Sequence, residues 1–154
     1  MRGVLTKQAT NSSITDNEEL MTPQENKAIL AAAFAETAKG NGRLFLDTLA
    51  DDVRWTVTGS TAWSRTYVGK PSVINDLLRP LGQQLGGANI IKAHQLFAEG
   101  DAVIVQGTGH NRTVSGKKYE NTYCWVIRMR DGKMRELTEY ADTQLIASVL
   151  EAPA

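Results

Sequence analysis

The stretch Tyr119–Asp142, YENTYCWVIRMRDGKMRELTEYAD, decides how this chain folds. Aromatic and β-branched residues alternate with polar ones on both sides of Asp131-Gly132, the pattern of two long strands joined by a tight hairpin turn. Two registers compete. A two-residue Asp131-Gly132 loop sets Arg128 opposite Arg135 and Ile127 opposite Glu136, opposing like charges and pairing an apolar residue with an acid. A slip of one residue sets Arg128 opposite Glu136, Ile127 opposite Leu137 and Trp125 opposite Glu139. Turn chemistry favours the first register and side-chain pairing the second. We take the second, because pairing extends over more residues and a slip exchanges the faces of a strand. One face then carries Asn121, Tyr123, Trp125, Ile127, Met129, Leu137 and Glu139. The outer face carries Glu120, Thr122, Cys124, Arg128 and Glu136.

That register puts an acid among aromatic and aliphatic side chains. A carboxyl on an apolar face either has a partner or titrates high. A carboxyl titrating near neutrality is what general acid–base chemistry needs. The alternative reading keeps Glu139 at a wet rim, or holds it in a hydrogen bond without chemistry.

The chain has 154 residues, 42% hydrophobic and 22% charged, with zero formal net charge, which fits one globular domain. No Lys/Arg cluster is dense enough for a phosphate backbone, which argues against a nucleic-acid partner. No apolar run is long enough to span a bilayer, and no apolar signal core follows Met1, so we expect no membrane association and a cytoplasmic location. A single cysteine, Cys124, and two histidines give no zinc-ligand pattern, and no metal is expected.

Residues 1–21 are polar and aperiodic, and are read as an N-terminal extension. The domain runs over 22–150, and 151–154 form a tail. Thr22-Pro23-Gln24-Glu25 is a capping box opening a helix that ends at Gly40. Its inward face is Ile29, Leu30, Ala33, Phe34 and Thr37. A short helix from about Gly42 to Leu49 turns Leu44, Phe45 and Leu49 inward. A strand follows over Val53–Thr58. Residues 62–70 read as a loop whose Trp63 and Tyr67 either lid a pocket or anchor the loop. A third helix carries Val73, Ile74, Leu77, Leu78 and Leu81, and Gly82–Gly87 reads as flexible. Strands follow over Asn89–Phe97 and Ala102–Val105. Gly107 and Gly109 mark a bulge or a close backbone approach and leave the facing of His110 unread. Asp142 caps a last helix, Thr143–Leu150. Helices first and strands last make an α+β domain with an antiparallel sheet whose one face packs on the helices.

The stretches LADDVRWTVTG (49–59), RTYVGKPSVINDLL (65–78), FAEGDAVIVQGTG (97–109) and KKYENTYCWVIRMRDGKMRELTEYADTQLI (117–146) resemble the SnoaL-like polyketide cyclase and ketosteroid isomerase superfamily, with its nuclear transport factor 2 fold. The resemblance implies a strongly curved mixed or antiparallel sheet wrapped around the N-terminal helices as a cone with an internal pocket. It also implies a homodimer through the open sheet face. It identifies fold better than reaction, because such folds host many activities. The helix tyrosine and the two aspartates of ketosteroid isomerases meet Ala33-Phe34, Trp55-Thr56 and Trp125 here, so that mechanism does not transfer. Glu139 stands where epoxide-hydrolase-like relatives place an aspartate. His110 or His94 stands in for a cyclase histidine.

The expectation is a cofactor-independent isomerase, cyclase or hydrolase acting on a small, mostly apolar organic ligand. Glu139, His110 and Tyr123 are its catalytic candidates, and Trp55, Trp63, Tyr67, His94, Asn121 and Trp125 its substrate-binding ones. The alternative is a non-catalytic ligand binder or a dimeric assembly protein of the same fold.

Overall fold

The computed structural model describes residues 20–154. The N-terminal extension expected over 1–21 therefore lies almost wholly outside the described residues. The hairpin forms from β7 (Thr122–Arg130) and β8 (Lys133–Ala141). Trp125 pairs with Glu139, Ile127 with Leu137 and Arg128 with Glu136, the register that side-chain pairing predicts. The two-residue turn forms as well. Arg130 pairs with Lys133 and Met129 with Met134, and the register shifts between Arg128 and Met129. Asp131 and Gly132 both take positive φ, +51° and +72°, as a tight hairpin turn of this hand requires. The extra residue, Arg135, is absorbed as a bulge, so both competing preferences are met at different points of one hairpin.

The hairpin is the centre of a six-stranded sheet in the order β2-β1-β8-β7-β4-β3. β3 (Ile91–Glu99) and β4 (Ala102–Gly109) extend it antiparallel on one side. On the other side β1 (Leu49–Val57) runs parallel to β8, and β2 (Thr66–Val68) closes that edge antiparallel to β1. The one parallel pair makes the sheet mixed. β1 also starts earlier than the sequence indicates. Its register shifts between Leu49 and Arg54, and this lets the exposed Asp51 and Asp52 sit within the strand rather than end a helix. A separate two-stranded pair, β5 (Asn111–Arg112) and β6 (Lys118–Tyr119), connects β4 to β7.

Helix α1 (Pro23–Thr37) opens with the capping box: Thr22 and Glu25 exchange side-chain-to-backbone hydrogen bonds. It buries Asn26, Leu30, Ala33, Phe34 and Thr37. Thr37 Oγ1 donates to the Ile91 carbonyl at 2.9 Å, fixing the helix end against β3. α2 (Arg43–Thr48) is short and turns Phe45 inward. The third helical region runs in three parts: α3 (Lys70–Ser72), a π-helical segment Val73–Leu78 and α4 (Arg79–Leu85). The Arg79 N–H reaches back five residues to the Ile74 carbonyl. Pro80, which has no N–H to donate, follows directly. Most of the expected flexible stretch is thus helix, ended by Gly86 at φ +68°. α5 (Thr143–Val149) is capped by Asp142, which accepts from the Leu145 N–H at 3.1 Å.

The helices cover one face of the sheet. Facing them is a buried row: Val103, Ile127, Leu137 and Trp55 are successive cross-strand partners. The sheet is open, with β2 and β3 as its edges, and its opposite face leaves Phe97 and Tyr140 half-exposed. No helix among the described residues is long and apolar enough to cross a membrane.

Candidate active site

One row further along the inner face the partners read Leu96, Val105, Trp125, Glu139 and Val57 across β3, β4, β7, β8 and β1. Glu139 is the one polar member. It faces inward because it is two residues from Leu137 on the same side of the pleat. Its Oε1 accepts a hydrogen bond from Trp125 Nε1 at 2.8 Å, and Oε2 has no partner among the described residues.

Glu139 opens onto a cavity of about 250 Å³ between the sheet and the helices. Phe34, Phe45, Trp55, Trp63, Tyr119, Tyr123 and Trp125 supply its aromatic lining, with Leu81, Ile146 and Leu150 among its aliphatic residues. By area Glu139 is only half-buried, because one side of it lines the cavity. The protein packs closely around its carboxyl all the same. Burial pushes the carboxyl up from 4.5 to about 7, and the Trp125 hydrogen bond offsets part of that rise. The acid is thus poised to exchange a proton near neutral pH.

Tyr123 stacks on Trp125, centroids 4.7 Å apart and planes 14° from parallel. Burial raises its phenol well above the ordinary value, and the nearby Tyr119 and Glu139 add to the rise. It is therefore a neutral hydroxyl, able to donate to a developing oxyanion. Gly107 makes room for this pair. A Cβ there would lie 2.8 Å from the Lys92 carbonyl oxygen and 3.3 Å from the Trp125 ring. The glycine pair is therefore a close backbone approach, while the bulge lies on the neighbouring strand at His94.

The other candidates divide. Trp55, Trp63, Trp125 and Tyr123 line the cavity with Glu139. Trp63 is held there by donating from Nε1 to the Glu151 carbonyl at 3.0 Å. Tyr67 is buried but does not line the cavity. It donates its hydroxyl to the Trp63 carbonyl at 2.9 Å, and so anchors the loop that carries Trp63. Asn121 is fully buried and saturated. Its Nδ2 donates to the Tyr119 hydroxyl and the Asp142 carbonyl, and its Oδ1 accepts from the Thr122 and Asp142 N–H groups. It joins β7 to the start of α5 and has no group left for a ligand.

Neither histidine reaches the cavity, which corrects the expectation that one of them serves Glu139. Both are exposed on the far side of the sheet. His94 Nε2 lies 2.7 Å from Thr108 Oγ1, and His110 Nε2 lies 3.4 Å from the same oxygen. The β3 bulge at His94 turns that side chain outward. Tyr119 was missed as a lining residue. It stands on the short β6, two residues before Asn121 and in phase with the inward face of the hairpin, so the alternation of that stretch is the signal that places it. Phe34 and Phe45 read only as core, because a helix face that packs on a sheet and one that lines a cavity share the same spacing. Among the described residues no group of three or more His, Cys, Asp or Glu side chains converges to hold a metal ion.

A mixed curved sheet, helices over one face and an apolar cavity holding one acid define a cone-shaped α+β fold with an internal pocket. The chain belongs to the SnoaL-like domain family, whose model matches residues 30–137. No curated protein matches it by sequence. Solved structures share its fold. An NTF2-like protein from Burkholderia thailandensis is 23% identical, with a TM-score of 0.71, covering 85% of this chain and 99% of its own. TerC, co-crystallised with polyporic acid, is 23% identical with a TM-score of 0.68, over 83% of this chain and 98% of its own. A protein from Jannaschia sp. CCS1 assigned as a SnoaL-like polyketide cyclase is 16% identical with a TM-score of 0.68, over 87% and 98%.

Proposed function

We propose that the cavity binds a small, mostly apolar organic molecule and that Glu139 is its general acid–base group in a cofactor-independent isomerisation, cyclisation or hydrolysis. The observation that carries this reading is the Glu139 carboxyl in an aromatic cavity, with Trp125 as its one hydrogen-bond partner among the described residues and burial bringing its titration to about 7. In an isomerisation or cyclisation Oε2 takes a proton from the substrate, the Tyr123 hydroxyl stabilises the charge left on an adjacent oxygen, and the proton returns at a second atom; in a hydrolysis Oε2 takes the proton of the attacking water and returns it to the oxygen released. Trp55, Trp63 and Trp125 wall the cavity around that exchange. The co-crystal of TerC with polyporic acid supports a small organic ligand for this fold.

The test couples native mass spectrometry of protein from cells, to recover a bound molecule, with turnover of that molecule. Glu139→Gln is expected to lower turnover at saturating substrate by about 10²–10⁴-fold. Turnover at the wild-type rate in that variant contradicts the assignment.

A second reading, assembly through the open sheet face, is favoured by the half-exposed Phe97 and Tyr140 on that face. We propose a homodimer there. Sedimentation of wild-type protein and Phe97→Glu at micromolar concentration tests it, and a wild-type monomer contradicts it.

A further inference from the structure

One group sets the charge of the cavity. Glu139 is the one Asp, Glu, Lys, Arg or His among the described residues that line it. The helices and β3 face it with apolar side chains, among them Phe34, Phe45, Leu77, Leu81, Ile91 and Ile146. The titratable groups that feel its charge are the phenols of Tyr67, Tyr119 and Tyr123, all raised by burial and so neutral. Asp142, near Tyr119, adds a second negative charge. Arg65 stacks 4.4 Å over the Tyr67 ring and pairs with Asp76 at 3.6 Å, and it does not line the cavity. Among the described residues no cation therefore compensates the ionised form of Glu139 from within the cavity.

The aromatic lining places π systems beside this carboxyl, together with the indole N–H of Trp55, which has no partner among the described residues. Five of the lining rings form a continuous chain: Trp55 to Phe45 at 5.8 Å, Phe45 to Phe34 at 5.5 Å, Phe34 to Trp125 at 5.3 Å, and Trp125 to Tyr123 at 4.7 Å. Aromatic faces carry negative potential and attract cations, most strongly where water is excluded. Trp125 joins the two features, since its N–H holds the carboxylate at the side of this chain of rings.

We propose that the ligand of this cavity is a lipophilic organic cation, a protonated amine on a cyclic apolar body. Its charge lies beside the Glu139 carboxyl and against the aromatic chain. The inference rests on the cavity being a ligand site and adds the charge of the ligand. It also predicts rejection of carboxylates, which would meet Glu139 with no cation beside it.

The test is calorimetric binding of three isosteric probes to the full chain: 2-naphthylmethylamine, 2-naphthylmethanol and 2-naphthoate. At pH 8 the amine is expected to bind at least tenfold more tightly than the alcohol, and the naphthoate most weakly. The amine's advantage falls to within twofold in Glu139→Gln. It also shrinks at pH 5.5, where Glu139 is protonated. Alcohol binding as tight as the amine's at pH 8 overturns the charge preference and leaves the cavity as a ligand site. An amine advantage undiminished in Glu139→Gln overturns it too, because the charge recognised then lies elsewhere. Failure of all three probes to bind overturns both the preference and the ligand-site reading.

Discussion

Glu139→Gln stabilises this protein, and the gain depends on pH in a way that the site geometry dictates. The carboxyl has an ordinary value of 4.5 and titrates at about 7 when folded. Below about pH 4 it is protonated in both states and contributes nothing to the pH dependence. Between 4.5 and 7 the unfolded chain ionises while the folded one holds its proton, so stability falls as pH rises. Above 7 the loss is complete. The interval is about 2.5 pH units, and at about 1.36 kcal/mol per unit it amounts to about 3 kcal/mol. Water entering the cavity can only reduce this figure, so it is an upper bound. Glutamine keeps the shape, and its carbonyl still accepts from Trp125 Nε1, yet it never ionises. The variant and the wild type are therefore expected to unfold at similar denaturant concentrations at pH 4. By pH 8 the variant gains up to about 3 kcal/mol, roughly 6–12 °C in Tm for a chain of this size. Comparing the two proteins at each pH cancels every other titrating group. A stability difference equal at pH 4 and pH 8, or a variant less stable at pH 8, refutes the reasoning.

Trp125→Phe removes the one hydrogen bond that favours the ionised Glu139, so the carboxyl rises further, by about one pH unit or more, as read from the pH dependence of that variant's stability against its Glu139→Gln double. Asn121→Ala strands the Asp142 and Thr122 N–H groups and breaks the link between β7 and α5. It is expected to cost about 3 kcal/mol or more in chemical denaturation, with hydrogen exchange rising first at Thr122 and Asp142. Gly107→Ala drives a methyl into the Lys92 carbonyl and the Trp125 ring. A cost of about 1–3 kcal/mol, with a shift in tryptophan fluorescence, is expected.

The inward face of the central hairpin was legible because strand alternation has a period of two and the cross-strand pairs are specific. Trp125 opposite Glu139 follows from choosing pairing over the simple turn count, and the structure adds the bulge at Arg135 that reconciles the two. A bulge has little signature in sequence, and this limited the reading elsewhere. The irregularity on β3 at His94 fixes the facing of that histidine, and no periodicity there announces it. The start of β1 at Leu49 was hidden likewise, since two adjacent aspartates resemble a helix end until a register shift carries them through a strand. Cavity residues supplied by helices were legible only as apolar. Phe34 and Phe45 take the same positions whether they pack on a side chain or border empty space. Asn121 drew attention as a polar residue on the apolar face, yet four hydrogen bonds within the protein account for it, and two of them are to Asp142, 21 positions away.

The most direct test of the central claim is infrared spectroscopy of the Glu139 carboxyl, taken as the difference between wild type and Glu139→Gln from pH 4 to pH 9. The protonated C=O band is expected to persist through pH 6 and to fall to half intensity near pH 7. A band lost by pH 5 means that Glu139 is an ordinary solvated glutamate, and the acid–base role assigned to it does not stand.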